Sequence, residues 1–234
     1  MSNRPSRDEE RTLQQSIIDF LSKYRVLLLV VLGVIVIGVV GSFLYLEISD
    51  RRAAAAAELA DDLETSYQEW GELEEGERGD KEEEIRTTAG EILDRYPRTF
   101  AGQRAHFVLG SLSFEKEEYD EATEHFVTLA ENFPESYLAP VARFNAAVSQ
   151  EEAGNDDNAR SHYLSVVENH AGTSAQVPRA LFALGRLSES GDSYEDAAGY
   201  YNRILDEYGD SSWTTLARNR IIFLQTEELI TESS

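Results

Sequence analysis

The chain has 234 residues, enough for one ordinary domain with additional segments, and it contains no cysteine. Without cysteine it can form neither disulfides nor thiolate metal sites, and it has no cysteine nucleophile. The formal net charge is −23, and residues 49–234 hold all of the excess, with 16 basic against 39 acidic residues. Because such an acidic surface repels polyanions, we expect no nucleic acid among the partners.

An uncharged apolar run of 21 residues, from Val26 to Leu46, is the first element predicted along the chain. A helix needs about 20 apolar residues to cross a bilayer. A cleaved signal peptide has a shorter apolar region with a small-residue cleavage site close behind it, whereas charged residues follow this run. The sequence therefore predicts one uncleaved transmembrane helix, residues 26–46, after a cytoplasmic tail of residues 1–25.

The orientation of this helix is predicted from the basic residues beside it. Five precede the run, namely Arg4, Arg7, Arg11, Lys23 and Arg25, and two follow it closely, Arg51 and Arg52. Positive charge favours the cytoplasmic side, so we expect residues 49–234 to lie outside the cytoplasm. Gly38 and Ser42 are four residues apart and would let two spans approach closely, which leaves a homo-oligomer open.

Residues 47–79 are predicted to form a connecting helix and an acidic loop. The Ala-rich stretch Ala53–Trp70 would be the first helix of a degenerate leading pair, and Ile85, Ala89 and Ile92 would lie on its second helix. Residues 71–80 between them are rich in glycine and charge, which is typical of a loop.

Helix-breaking residues recur at a fixed period in the rest of the chain. Tyr96-Pro97, Phe133-Pro134, His170-Ala171 and Tyr208-Gly209 are 37, 37 and 38 residues apart. A fixed period of this length indicates helical repeats that bury their apolar faces against one another. The sequence therefore predicts an all-α solenoid over residues 80–234. Its pairs would be about 99–134, 136–171 and 174–209, followed by a closing helix, 210–231.

Small and aromatic residues recur with the same period inside the repeats. They are Ala105, Ala142, Ala180 and Ala217; Gly110, Ala147 and Gly185; Ala122, Ala159 and Ala197; and Phe126, Tyr163 and Tyr201. Small residues are needed where two helices cross closely, and aromatics fill the space beside the next helix. For the turns within pairs, Gly154 and Gly191 are predicted to be left-handed, while Glu117 and Glu118 occupy that place in the first pair. In the closing helix, we expect Trp213, Leu216, Ile221, Ile222 and Leu224 on the packing side.

The first pair carries Leu109, Gly110, Ala122, Phe126 and Pro134 at the spacings of the tetratricopeptide repeat, which this sequence resembles. The third pair matches at Leu184, Gly185, Ala197 and Tyr201, and the second pair matches less closely. The resemblance implies stacked helical hairpins that bind other proteins and says little about activity.

The order of short tail, apolar helix, Ala-rich helix and repeats resembles the ancillary subunit of the bacterial SecYEG translocon. That resemblance implies the bacterial inner (plasma) membrane, with translocon subunits, chaperones or exported clients as partners. The Tyr-Pro and Phe-Pro closures are also similar to those of an envelope repeat family that coordinates cell division. The alternative function is therefore an envelope scaffold that oligomerises or coordinates cell-wall machinery.

No catalytic, phosphate-binding or zinc motif occurs in the sequence, so we expect no enzyme activity, no cofactor and no metal. His125 and His162 lie 37 residues apart. They therefore occupy the same place in two repeats, which indicates a packing or surface role.

The candidate binding residues lie on the first helix of each repeat. In the resembled family, the fifth position of that helix faces a concave groove, and here it holds Phe107, Phe144 and Phe182. Arg104 and Arg179 occupy the second position in two repeats, and Arg186 lies one turn beyond Phe182. An aromatic ladder flanked by arginines would hold a segment of another protein. The alternative is that the three phenylalanines belong to the core.

Overall fold

The computed structural model describes residues 7–231, and for residues 7–17, 19, 28 and 45 it describes the backbone alone. Arg4 and the first six residues of the predicted tail therefore lie outside the described residues. Within residues 7–231 the chain is helical and contains no strand. The helices are α1 (Arg7–Glu72), α2 (Arg78–Arg95), α3 (Phe100–Glu115), α4 (Tyr119–Asn132), α5 (Ala139–Glu152), α6 (Asp156–Asn169), α7 (Gln176–Ser190), α8 (Tyr194–Glu207) and α9 (Trp213–Thr226), with a 3₁₀ turn at Glu75–Glu77.

The chain divides between Ala55 and Ala56 into an N-terminal unit and a repeat unit. In the N-terminal unit, the large apolar side chains described between Val26 and Leu46 are all exposed. The one candidate membrane span among the described residues is Leu29–Glu72 of α1, which qualifies by length and composition and contains most of this apolar stretch.

The repeat unit begins at Ala56, so it contains the leading helical pair as well as the repeat domain predicted over residues 80–234. Ala56, Ala60 and Leu63 of α1 are buried in one core with Ile85 and Ala89 of α2. The predicted loop at 71–80 is shorter in the structure, because α1 continues to Glu72 and α2 begins at Arg78. The Arg78 side chain folds back over this connection: its Nε donates a hydrogen bond to the Leu73 carbonyl (2.9 Å), and its guanidinium lies 4.5 Å from the Trp70 ring centroid.

Three helical pairs follow, α3–α4, α5–α6 and α7–α8, and they confirm the predicted solenoid. Small residues stand where an aromatic of the second helix approaches the first helix. A Cβ atom added to Gly110 would lie 2.8 Å from the Phe126 ring, and one added to Gly185 would meet the Tyr201 ring more closely still. Since real Cβ contacts are never this short, glycine at these two positions is what lets the aromatic ring fill the gap.

The corners between pairs have one backbone geometry. Tyr96, Phe133, His170 and Tyr208 end α2, α4, α6 and α8 with φ between −135° and −128°. Each donates its backbone N–H to the carbonyl four residues earlier, at 2.7–3.2 Å. Proline follows only the first two of these residues, so the corner does not depend on it, although proline stiffens it.

The turns within pairs contain one left-handed residue each. These residues are Glu117 (φ 62°), Gly154 (φ 76°) and Asp192 (φ 57°). The prediction was wrong at Gly191, whose φ is −97°. The left-handed residue is the next one, Asp192, so two of the three turns place a side chain where glycine is favoured.

The closing helix, α9, packs through Ala217 and Leu224, which are fully buried, with Trp213 and Ile221 beside them. The predicted packing side was wrong for Leu216 and Ile222, which are 47% and 53% exposed. The face of α9 that packs on the core therefore carries Thr214, Ala217, Ile221 and Leu224, three or four residues apart.

Candidate functional site

The three phenylalanines predicted to line a groove each contact an aromatic ring on the second helix of their own repeat. Phe107 meets Phe126 edge-on, with centroids 5.7 Å apart. Phe144 lies 5.2 Å from Tyr163, and Phe182 lies 5.3 Å from Tyr201. Phe107 and Phe182 are half-buried.

Phe144 is buried, so the three phenylalanines do not form a continuous exposed row. It is only 3% exposed and belongs to the core shared by the second and third repeats. The structure thus corrects the groove assignment at Phe144, because close packing against Tyr163 leaves its ring no room for a partner.

The three arginines have different surroundings. Arg104 bridges α3 to α1 by ion pairs with Asp61, at 2.7 Å, and with Glu64. Burial lowers the pKa of Arg104, but hydrogen bonds with these two carboxylates more than offset it, and the net shift is upward. This arginine connects the leading pair to the first repeat.

Arg186 is also paired, within a small polar network. It forms an ion pair with Glu151, which accepts a hydrogen bond from the Tyr163 hydroxyl at 3.0 Å. The next repeat has the same arrangement, in which Glu189 accepts from the Tyr201 hydroxyl and pairs with Arg220 of α9. These networks join neighbouring repeats along the solenoid.

Arg179 differs from both. Its side chain is exposed, and its guanidinium lies 4.2 Å from the centroid of the Phe144 ring, a cation–π geometry. Among the described residues it has no carboxylate partner. The structure therefore brings together Arg179 and Phe144 of the predicted set, while Arg104 and Arg186 are bound within the protein.

A cavity of about 280 Å³, here called the groove pocket, lies beside Arg179. It is lined from four helices by Tyr67, Ser111, Phe114, Asn145, Val148 and Arg179, with Glu115 at its wall and the Phe126 ring beneath. The pKa of Tyr67 is raised, first by burial and then by the charge of Glu115, while a hydrogen bond from Ser111 opposes the shift.

The apolar part of the groove pocket arises from a difference between repeats. Phe114 and Phe126 occupy the positions that hold Glu151 and Tyr163 in the second repeat and Glu189 and Tyr201 in the third. Where the later repeats close the surface with a hydrogen-bonded Tyr–Glu–Arg network, the first repeat has two phenylalanine rings. The pocket has an apolar floor because that network is missing here.

Sequence reasoning found Arg179 but missed Phe114, Asn145 and Val148. A signal was present, because Phe114 is seven residues after Phe107 and Val148 is four after Phe144. Residues at these spacings share one face of a helix.

His106 and His125 form a separate contact in the first repeat. Their Nδ1 atoms are 3.3 Å apart. Burial and then the charge of His125 lower the pKa of His106 to about 4, and burial lowers that of His125 as well. Within residues 7–231, no group of three or more potential ligands could hold a metal ion.

Comparisons with known proteins agree with this architecture. The sequence profile of a tetratricopeptide repeat-like domain matches residues 19–162, more than half of the chain, and that of a tetratricopeptide repeat matches residues 144–212. A TPR repeat-containing protein of Treponema pallidum (strain Nichols) is 29% identical over 123 residues, which are 53% of this chain and 51% of that protein. The chain thus spans about half the length of this relative.

Proposed function

The chain belongs to the tetratricopeptide repeat-like family, whose domains bind other proteins, and we propose that it is a membrane-tethered binding module for exported proteins or their handling machinery. The observation that carries the proposal is the groove pocket, which combines an apolar floor with Arg179 of α7, an arginine that has no carboxylate partner among residues 7–231. The proposed role is binding, without a catalysed reaction.

The proposed membrane anchor is the segment Val26–Leu46. Its exposed apolar side chains would be buried by a lipid bilayer, and the helix satisfies its own backbone hydrogen bonds. The excess of basic residues before the span supports a cytoplasmic N-terminus. With this orientation in a bacterial inner membrane, protease added to spheroplasts would digest residues 56–234 and spare an N-terminal tag. Digestion of the tag alone would contradict the orientation.

The partners that we propose are translocon subunits, chaperones or exported clients, and site-specific crosslinking tests them. A photoreactive amino acid at Asn145 would sit in the groove pocket, and one at the exposed Glu168 on α6 would serve as the control. We expect Asn145 to capture an export component that Glu168 does not capture. Equal capture at both sites, or none at Asn145, would count against a groove-based role.

A self-associating envelope scaffold is the second candidate, and the exposed face of α9 favours it. Leu216, Ile222 and Phe223 of α9 are 44–53% exposed. Capture of a second copy of the chain by a crosslinker at Leu216, together with a dimer in detergent, would support this function instead.

A further inference from the structure

We propose that the groove pocket binds an extended segment of another protein that carries one apolar side chain beside a single carboxylate side chain, which Arg179 pairs. This inference rests on the proposed function, because it names the chemistry of the segment that the groove would hold.

The first step is the state of Arg179. Residues 49–234 hold 39 acidic side chains, and the neighbouring Arg104, Arg186 and Arg220 each have a carboxylate within the protein. Arg179 has none in the part of the chain that the structure describes, although it is held in place over the Phe144 ring. A guanidinium fixed on an aromatic face keeps its donors free for the planar fork of a carboxylate.

The second step is the apolar floor. Phe114 and Phe126 lie where the later repeats have glutamate and tyrosine, and Val148 lines the cavity beside them. The volume of about 280 Å³ is below the range of roughly 300–1,000 Å³ typical of small-molecule sites. It is therefore suited to one large apolar side chain of a bound segment rather than to a whole ligand.

The third step limits the charge of the segment. Glu115 stands at the wall of the same pocket. Arg179 is the one basic residue among the described residues that line the pocket, so a second carboxylate would add repulsion from Glu115 without an arginine to pair it, and a polyacidic segment is disfavoured. Ser111 and Asn145 supply neutral hydrogen-bonding groups for the segment's backbone.

The test is a selection from a random hexapeptide library displayed on phage, with the full-length chain in nanodiscs as the target. We expect the selected peptides to be enriched in an Asp or Glu next to Leu, Ile or Phe. The variant Arg179→Gln should reduce the acidic enrichment at least about tenfold, the effect of one charge-assisted hydrogen bond. Arg218→Gln is the matched control, since Arg218 is also exposed but does not line the groove pocket.

A variant with the opposite charge at position 179 keeps the test valid even if substitutions weaken folding, because it predicts a different selection instead of a missing one. Arg179→Glu should select peptides with Lys or Arg in place of the acidic residue. The inference would be overturned by any of three results: selected peptides without an acidic residue, an unchanged selection by Arg179→Gln, or no selection at all. If these results came with specific crosslinking of an export component at Asn145, the proposed function would stand and the carboxylate chemistry alone would be wrong. Enrichment of peptides that match this chain's own sequence would overturn the assignment to another protein.

Discussion

In the first repeat, the rings of Phe114 and Phe126 close the space between the paired helices, whereas the second repeat uses Glu151 and Tyr163 at these positions. The third repeat follows the second, with Glu189 and Tyr201. All three repeats form a helical pair with an aromatic ring of the second helix packed against the first, so this packing does not require the polar network. The polar network is an addition, and where it is missing a pocket with an apolar floor forms.

A second difference concerns the histidines. His106 contacts His125 in the first repeat, while the equivalent pair in the second repeat is Arg143 and His162. Burial and then the charge of Arg143 lower the pKa of His162. Because the third repeat has no histidine at either position, we expect acid sensitivity to be concentrated at the start of the solenoid.

The largest expected effect separates core from groove. Phe144→Ala removes a buried ring and should lower the free energy of unfolding by about 3–5 kcal/mol. Phe107→Ala removes a half-buried ring and should cost clearly less. Urea unfolding of the chain in detergent, followed by tryptophan fluorescence, measures both. Equal losses of stability in the two variants would mean that the first repeat is as tightly packed as the second. That result would contradict the distinction between a core Phe144 and a groove Phe107.

The next effect depends on pH. Because the pKa of His106 is about 4 when folded and about 6.5 when unfolded, the unfolded state binds more protons as the pH falls below 6.5. The free energy of unfolding should therefore fall between pH 6.5 and about 4, by less than about 3 kcal/mol because solvent screens the partly exposed ring. His106→Gln should be less sensitive than the wild type over this range, as measured by urea midpoints at several pH values.

His170→Gln is the control for this prediction. Burial also lowers the pKa of His170, but no second histidine charge contributes to that shift. The His170→Gln variant should keep most of the wild-type pH dependence of the free energy of unfolding. If His106→Gln keeps all of it, the acid sensitivity comes from other groups, namely His125, His162 and the carboxylates.

A smaller effect tests the polar network of the later repeats. Tyr201→Phe makes the third repeat resemble the first and removes a hydrogen bond to Glu189, a partly buried carboxylate. Loss of this bond should cost about 1–2 kcal/mol. Tyr194→Phe is the control, since its hydroxyl donates to an exposed carboxylate of Asp192, and it should cost much less. Equal costs would show that the network contributes nothing beyond packing.

The period of the helix breakers was enough to predict the solenoid, because each repeat must bury the same face at the same spacing. It did not predict that the Arg78 side chain closes over Trp70 at the connection between α1 and α2. It also did not predict the pairing of Arg104 with Asp61, 43 residues earlier in the chain. Contacts between residues so far apart leave no periodic signal.

The candidate site shows the same limit. Arg179 was predicted from its repeat position, but that position does not tell which arginine keeps its charge free. The replacement of Glu and Tyr by Phe114 and Phe126 was visible in the aligned repeats. Its consequence, an apolar pocket, requires the neighbouring helices to be in place.

The smallest expected effect concerns the turns within pairs, where Glu117 and Gly154 hold the same left-handed geometry with φ of 62° and 76°. A side chain in this region costs about 1–2 kcal/mol relative to glycine, and part of that is offset because glycine is freer in the unfolded chain. Glu117→Gly should therefore stabilise the protein by about 1 kcal/mol, and Gly154→Ala should destabilise it by a similar amount. The two urea midpoints should move in opposite directions. If Glu117→Gly instead destabilises the protein, the Glu117 side chain stabilises the first turn by more than its backbone strain costs.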